Sequence, residues 1–199
     1  MIKAIIFDWG GTCTKGRIKE VVIKNISQKF SISLKKADMA YEKWNIDYLL
    51  GKISGPEFWK NFSEMLGIEC NFKKLNMIFL KSPKVNKNVL SLIKKLRRNY
   101  KTGLLSDSYR EMAGYIVKKY RLGELFDAMV FSNDVGIKKP DKRIFDFALK
   151  RLHVDAGECI FIDDIKINTD SAKKYGFRSI RFKGSENLKS WLKKMGIRF

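Results

Sequence analysis

The 199-residue sequence has few cysteines and a single histidine, and this scarcity excludes several kinds of site. Cys13, Cys70 and Cys159 are isolated from one another, odd in number, and none belongs to a CxxC pair. Disulfide frameworks and structural zinc sites rely on paired cysteines, so we expect neither, and we expect a reducing cytoplasmic environment. His153 has no other metal-ligating residue clustered around it and is expected at the surface.

Long hydrophobic runs are also missing. The apolar run AIIF near the start of the chain is far too short for the core of a signal peptide or for a membrane span. We therefore expect no leader and no membrane association. Hydrophobic residues make up 45% of the chain and charged residues 31%, which is typical of a globular protein with a sizeable core.

Acidic residues are scarce relative to basic ones. The chain has 21 Asp and Glu against 41 Lys and Arg, which gives a formal net charge of +20. This excess favours anionic ligands. The lysines are spread from Lys3 to Lys194 without long blocks, and aromatic residues do not alternate with them as in RNA-binding proteins. A small anionic partner is thus favoured, nucleic acid is a lesser possibility, and we expect a monomer or a homodimer.

Short apolar runs alternate with helical segments in most of the chain. The helical segments lie at Tyr109–Tyr120, Lys142–Leu152 and Asn168–Tyr175, with a last one from Ser185. Such alternation is typical of an α/β fold with a doubly wound parallel sheet. The predicted strands are Ile2–Phe7, Lys101–Ser106, Ala128–Ser132, Cys159–Asp163 and Arg178–Phe182.

Residues 15–83 break this alternation, because they contain no strand-like run. Ser54 and Glu57 have the spacing of a capping box at the start of one helix. Roughly 70 residues exceed what a crossover needs, about a dozen. We therefore predict a small all-helical domain at 15–83, inserted into a core formed by 1–14 and 84–199. Its amphipathic helices are expected near Ile18–Phe30, Leu34–Leu50, Pro56–Leu66 and Phe72–Leu80.

Polar residues follow the predicted strands. In an open α/β sheet, ligands bind at the carboxyl ends of the strands, so these residues are expected to converge. Each alone could be a turn or capping residue, but the adjacent pair Asp163 and Asp164 places costly charge at the edge of a core. Together they predict a site for a metal ion and a phosphate-like anion. They are Asp8, Gly10, Gly11 and Thr12, then Ser106 and Asp107, then Lys138 and Lys139, and finally Asp163, Asp164 and Asn168.

Four of these segments, FDWGGT, LLSD, GIKKPDKRIF and FIDD, resemble the four ordered motifs of the haloacid dehalogenase (HAD) superfamily. The resemblance covers the whole chain and includes a helical cap inserted after the first motif. It implies a Rossmann-like core with a small all-helical cap, a hydrolase activity and a Mg²⁺ ion. Phosphate monoester hydrolysis is the most common activity in the superfamily.

The resemblance also implies a role for each motif residue. Asp8 would be the nucleophile that forms an aspartyl-phosphate. Mg²⁺, which prefers oxygen ligands, would be held by Asp8, Asp164 and the main-chain carbonyl of Gly10, with Asp163 as a further ligand or a supporting acceptor. The phosphoryl group would be bound by the Lys139 ammonium and the Ser106 hydroxyl, by the amides of Gly10, Gly11 and Thr12, and by Asp107.

Gly10 departs from the family pattern. Most phosphatases of this superfamily carry a second aspartate two residues after the nucleophile, which acts as acid and base and contributes about 10²–10⁴ in rate. Its absence predicts a slow or unusual phosphatase. Phosphonoacetaldehyde hydrolases share the tryptophan and the small residue after the nucleophile and use a cap lysine, here Lys43 or Lys52, as a Schiff base.

Two further alternatives stay open. L-2-haloacid dehalogenases also lack the second acid, but they need no metal, and the pair Asp163 and Asp164 argues against them. A catalytically weak protein that binds anions or nucleic acid is the last alternative.

Overall fold

The five apolar runs form one parallel sheet with the order β3-β2-β1-β4-β5. The structure is a computed structural model that describes residues 1–69 and 71–199. The predicted doubly wound α/β fold is confirmed, with strands shorter by one or two residues at three places. The strands are β1 (Ala4–Phe7), β2 (Lys101–Ser106), β3 (Ala128–Phe131), β4 (Cys159–Asp163) and β5 (Arg178–Arg181).

Helices occupy most of the rest of the described chain. The helix Lys87–Leu96 and the four-residue helix Ser132–Val135 are not among the predicted segments. In order the helices are α1 (Ile18–Phe30), α2 (Leu34–Leu49), α3 (Gly55–Leu66), α4 (Phe72–Lys81), α5 (Lys87–Leu96), α6 (Arg110–Lys119), α7 (Ser132–Val135), α8 (Lys142–Leu152), α9 (Lys166–Lys174) and α10 (Ser185–Lys194).

Both faces of the sheet are covered because side chains alternate along each buried strand. In β1, Ile5 and Phe7 point to the face covered by α5, α6 and α10, whereas Ala4 and Ile6 point to the face covered by α8 and α9. β1 lies in the middle of the sheet, between β2 and β4. The residue that follows β1 is therefore placed at the centre of the carboxyl edge.

Helices α1–α4 form a helical layer around a cluster of buried aromatic rings. Phe58 of α3 stacks on Tyr48 of α2 with ring centroids 4.5 Å apart, and this cluster is continuous with the apolar core on one face of the sheet. The Ser54 hydroxyl accepts the Glu57 amide at 3.3 Å and so caps α3. The division into residues 1–14 with 84–199 and 15–83 stays a prediction.

The chain enters the helical layer through residues 14–17 and leaves it through residues 82–86. These two linkers pair with each other. The Lys15 amide donates to the Lys84 carbonyl at 2.7 Å, and the Asn86 amide donates to the Cys13 carbonyl at 2.8 Å. Cys13 and Cys159 are buried and free, whereas Cys70 lies outside the described residues. Among the described residues, no helix is long and apolar enough to cross a bilayer.

Candidate active site

Asp8 stands at the carboxyl end of β1. Its amide donates to the Ile162 carbonyl of β4 at 2.8 Å, which continues the strand pairing to this residue. The residue is only 6% exposed. The fold therefore holds this carboxylate at the middle of the sheet edge, partly shielded from water.

Lys139 fills the space next to Asp8. Its ammonium donates to Asp8 Oδ1 at 2.6 Å, to Asp163 Oδ2 at 2.8 Å and to the Leu105 carbonyl at 3.0 Å. An ammonium has three N–H donors, so all of them are used although the residue is 3% exposed. Lys139 is thus a fixed cation shared by two carboxylates and one strand end.

Burial and neighbouring charges have opposite effects on the pKa values of Lys139 and Asp8. Burial alone lowers the pKa of Lys139, but the carboxylates of Asp163 and Asp8 outweigh it, so the pKa is raised and the ammonium stays charged. Burial raises the pKa of Asp8 well above its usual range, and the attraction of Lys139 opposes this rise. The ammonium is therefore the group that favours the ionised form of Asp8 in a poorly hydrated place.

Asp107 holds the loop that carries Lys139. Its carboxylate Oδ1 accepts the Lys139 amide at 3.0 Å. Asp107 was predicted to bind phosphate, and this role stays a prediction. The contact that the structure gives its carboxylate is the one to the Lys139 amide, which positions Lys139. Asp141 then caps α8, because its carboxylate accepts the Arg143 amide at 2.9 Å.

Asp163 also acts as a support. Its Oδ1 accepts the Ile165 amide at 2.8 Å, and its Oδ2 accepts both Lys139 and the Asn168 side-chain amide, the latter at 3.0 Å. Both oxygens therefore have hydrogen-bond donors. Of the two roles predicted for this residue, the geometry favours the supporting acceptor over a metal ligand.

Asp164 has one oxygen engaged and one without a partner. Oδ2 accepts the Arg17 guanidinium at 2.7 Å, whereas Oδ1 is buried and makes no hydrogen bond to the described residues. Oxygens of Asp8, Asp163 and Asp164 all lie within 4.8 Å of one another. An unpartnered buried oxygen beside two more carboxylates suits a hard divalent cation.

Gly11 leaves room for the Asp164 carboxylate. A Cβ atom at this position would lie 2.6–2.8 Å from the carboxylate atoms of Asp164, and the residue has φ +83°. Both the close approach and the positive φ require glycine here. The second glycine of the motif is therefore explained by the neighbouring acid.

The loop after Asp8 is held by Thr14, which was not among the predicted site residues. Its hydroxyl accepts the Gly11 amide at 2.9 Å and donates to the Gly16 carbonyl at 2.8 Å. The Gly11 amide was predicted to bind phosphoryl oxygens, and this stays a prediction; in the structure it donates to Thr14 Oγ1. A hydroxyl three residues after a glycine in a loop was the available signal.

The hydroxyls of Ser106, predicted to bind phosphate, and of Thr12, whose amide was predicted to do so, are buried and weakly engaged. Thr12 Oγ1 has no partner among the described residues. Ser106 Oγ is 3.5 Å from the Asp107 carbonyl, at the outer limit of a hydrogen bond. Their roles stay predictions, and neither hydroxyl is committed to a strong internal bond.

Gly10 faces an apolar side chain. A Cβ atom there would meet the end of Ile18, the first residue of α1, at 3.6 Å. A longer side chain at this position would therefore point towards Ile18. Ile18 is apolar and cannot replace the acid that is missing at position 10. The adjacent Arg17, by contrast, donates a hydrogen bond to Asp164 in the site.

The two lysines considered for a Schiff base lie on the surface. Lys43 is exposed, with its ammonium 4.7 Å from the centroid of the Trp44 ring. Lys52 is exposed and pairs with Asp47 at 3.2 Å. An amine nucleophile normally needs a desolvated pocket, so neither position favours this chemistry.

The comparisons with known proteins agree with this geometry. A family model described as haloacid dehalogenase-like hydrolase matches residues 2–176. The chain is 28% identical to D-ribitol-5-phosphate phosphatase from Bacteroides thetaiotaomicron, an alignment that covers 99% of this chain and 98% of the relative. It is 32% identical to (S)-2-haloacid dehalogenase 4A from Burkholderia cepacia over 44% of this chain and 38% of that relative.

A solved structure has the same fold. It is a HAD family enzyme from Bacteroides thetaiotaomicron in complex with magnesium and inorganic phosphate, with a TM-score of 0.72 and 25% identity. The match covers 92% of this chain and 95% of that one. The similarity therefore extends over both the sheet and the helical layer.

Proposed function

Because this chain belongs to the haloacid dehalogenase-like hydrolases, we propose that it is a Mg²⁺-dependent phosphatase acting on a small phosphorylated substrate. The observation that carries the proposal is the buried carboxylate of Asp8, held by the Lys139 ammonium at 2.6 Å beside the acids Asp163 and Asp164. The relative named as a sugar-alcohol phosphatase, and the solved structure with magnesium and phosphate, support the same chemistry.

The residues at this edge fit a magnesium ion. Asp8, Asp164 and the Gly10 carbonyl would hold it, and the free Oδ1 of Asp164 provides a ligand atom without breaking an internal hydrogen bond. When bound, Mg²⁺ would reduce the repulsion between a carboxylate and a phosphate, both of which are negative. Arg17 would keep the other oxygen of Asp164 oriented.

The chain's own residues would divide the reaction into two displacements. Asp8 attacks phosphorus, so that a new P–O bond to the carboxylate forms while the ester P–O bond breaks. Lys139 stays charged throughout and stabilises the negative charge that builds up on the phosphoryl oxygens. Water then attacks the aspartyl-phosphate, releases inorganic phosphate and restores Asp8.

The missing acid shapes the second step. No carboxylate stands at Gly10, and Ile18 occupies the direction in which a side chain from there would extend. A side chain at position 10 therefore serves neither the leaving oxygen nor the attacking water, and the contribution of such an acid or base is about 10²–10⁴ in rate. The aspartyl-phosphate is therefore expected to accumulate.

Labelled acetyl phosphate tests both parts of the proposal. We expect a labelled, acid-stable and base-labile protein adduct in the presence of Mg²⁺, followed by slow release of phosphate, because the first displacement outpaces the second. Asp8→Asn should abolish the adduct and lower aryl phosphate hydrolysis by roughly 10³-fold or more. Asp38→Asn, at a partly exposed acid of α2 that pairs with Lys19 at 2.9 Å, is the matched control and should leave both unchanged.

Rapid, burst-free turnover of ordinary phosphomonoesters would contradict the role given to Gly10. Labelling that persists in Asp8→Asn would contradict the nucleophile itself.

A further inference from the structure

A cavity of about 550 Å³ lies where the helical layer joins the sheet. We call it the linker groove, because both linkers line it together with the start of α5 and the end of α6. Five lysines and no acidic residue border it. They are Lys15, Lys81, Lys84, Lys87 and Lys119.

These lysines are not neutralised by neighbours. Among the described residues, no carboxylate lies within 4.0 Å of any of the five ammonium groups. The ammonium of Lys119 contacts the Tyr115 hydroxyl at 2.6 Å, which leaves its charge in place. Pairing of the linkers brings Lys15 and Lys84 side by side, since the Lys15 amide donates to the Lys84 carbonyl.

Two smaller cavities, of about 320 and 160 Å³, also lack acidic residues, but they are bordered by only three and two lysines. The linker groove differs from them in its five lysines and its larger volume. Two cavities of about 740 and 710 Å³ lie at the opposite, amino-terminal edge of the sheet. The first is bordered by Asp146, Asp155 and Glu158, and the second by Asp127. There Glu158 pairs with Lys3 at 2.5 Å. Opposite charges are therefore mixed at that edge and separated at the linker groove.

The start of α5 adds to the positive field. Asn86, Lys87 and Asn88 border the groove, so the first turn of this ten-residue helix faces it. The Asn86 side chain makes no capping hydrogen bond, and the first turn has no acidic residue. Uncapped amides at a helix start attract anions, and here they add to the cavity and to the five lysines.

From this combination we propose that the linker groove binds a small anion that carries several phosphate groups. A single orthophosphate would neutralise less than half of the five lysine charges and would fill a small part of the cavity. A chain of three phosphates matches both the charge and the volume better. Inorganic tripolyphosphate and a nucleoside triphosphate share this chemistry, and Tyr120, which also borders the groove, could contact a base.

Such a ligand would act on the linkers and on the catalytic loop. It would screen the repulsion between Lys15 and Lys84 and so favour the paired linkers. Thr14 pairs with Val85 across the linkers, and its hydroxyl accepts the Gly11 amide. One residue therefore joins the groove to the loop that follows Asp8.

Calorimetric titration of the full chain tests the site. The Asp8→Asn variant is used so that the ligand is not consumed, whether or not the proposed phosphatase reaction occurs. At constant salt, tripolyphosphate should bind at least tenfold more tightly than orthophosphate. The triple variant Lys84→Gln, Lys87→Gln, Lys119→Gln should weaken tripolyphosphate binding at least tenfold.

The matched control removes the same charge from elsewhere on the surface. Lys150→Gln, Lys173→Gln, Lys193→Gln should change the affinity less than about threefold, since these exposed lysines lie outside the groove. Equal weakening by both triple variants would overturn the proposal, because binding would then follow net charge alone. Adenosine triphosphate binding more tightly than tripolyphosphate would identify the nucleoside triphosphate as the source, and equal affinity the inorganic chain.

Hydrogen exchange supplies a local readout. The amides of Lys15 and Asn86 should exchange more slowly when tripolyphosphate is bound, and this protection should be absent in the groove variant. A single-stranded oligonucleotide that binds more tightly than tripolyphosphate at the same salt, and loses binding in the groove variant, would overturn the proposal in favour of a nucleic-acid surface.

Discussion

Lys139 and the lysines of the linker groove show two opposite uses of one side chain. Lys139 is buried, and each of its three N–H donors has an acceptor. Lys84 and Lys87 are exposed, and no carboxylate among the described residues neutralises them. Lys139 is held in one position by its three acceptors. The lysines of the linker groove instead produce a positive electrostatic potential that attracts anions in general.

The difference comes from desolvation. A buried ion loses several kcal/mol of hydration unless fixed partners replace the water, so the position of Lys139 is determined by Asp8, Asp163 and Leu105. An exposed lysine keeps its water and interacts with its neighbours through a screened field. The stability of the charge network around Lys139 should therefore depend on individual partner atoms. Anion binding at the linker groove should instead depend on ionic strength.

Removal of Lys139 should have the largest effect. Lys139→Ala leaves the carboxylates of Asp8 and Asp163 buried without their cation, so we expect the free energy of unfolding to fall by about 3–5 kcal/mol. Denaturant unfolding measures this loss. In the double variant Asp8→Asn, Lys139→Ala the loss should be smaller than the sum of the single losses, because one of the two stranded charges is gone.

If the losses in unfolding free energy of the two single variants simply add in the double variant, Lys139 stabilises the fold through packing and not through the ion pair. The contrast with the exposed lysines would then be wrong.

Substitution of Gly11 in the first motif should have an intermediate effect. Gly11→Ala forces a Cβ against the Asp164 carboxylate at 2.6–2.8 Å in a backbone with φ +83°. We expect it to cost about 1 kcal/mol or more in unfolding free energy and to weaken Mg²⁺ binding at least tenfold. Titration calorimetry with Mg²⁺ and thermal unfolding measure the two quantities.

Gly10→Ala is the matched control, because its Cβ would make ordinary contacts of 3.6 Å with Ile18 and the residue has a negative φ of −72°. It should leave Mg²⁺ binding within about threefold of wild type. Equal losses in the two variants would show that the loop needs flexibility in general and not the space beside Asp164.

The linker groove should give the smallest effect on stability. Lys84→Gln with Lys87→Gln should change the free energy of unfolding by less than about 0.5 kcal/mol, since exposed side chains without partners contribute little. Any change should be a gain at low salt that disappears at high salt, because like charges are removed. Denaturant unfolding at both salt concentrations measures it, and a salt-independent loss would mean that these lysines have structural partners.

Much of the candidate active site could be predicted from the sequence, because strands that run parallel end at the same edge. Asp8, Lys139 and Asp164 follow three strand ends, and their convergence needed only the order of strands and helices. Helix α5 could also have been predicted, since Val89, Leu92, Ile93 and Leu96 have helical spacing and are buried. Contacts across the fold could not, as the pair of Arg17 and Asp164 joins residues 147 positions apart.

The alternation of strands and helices, the four motifs and the excess of positive charge can be read from the residues alone, because these are properties of neighbouring residues and of composition. Which charges are buried together and which face water depends on how the helices and strands pack. Lys139 and Lys84 cannot be distinguished as letters in a lysine-rich chain. Their surroundings differ because burial and the approach of distant carboxylates are set by how the elements pack.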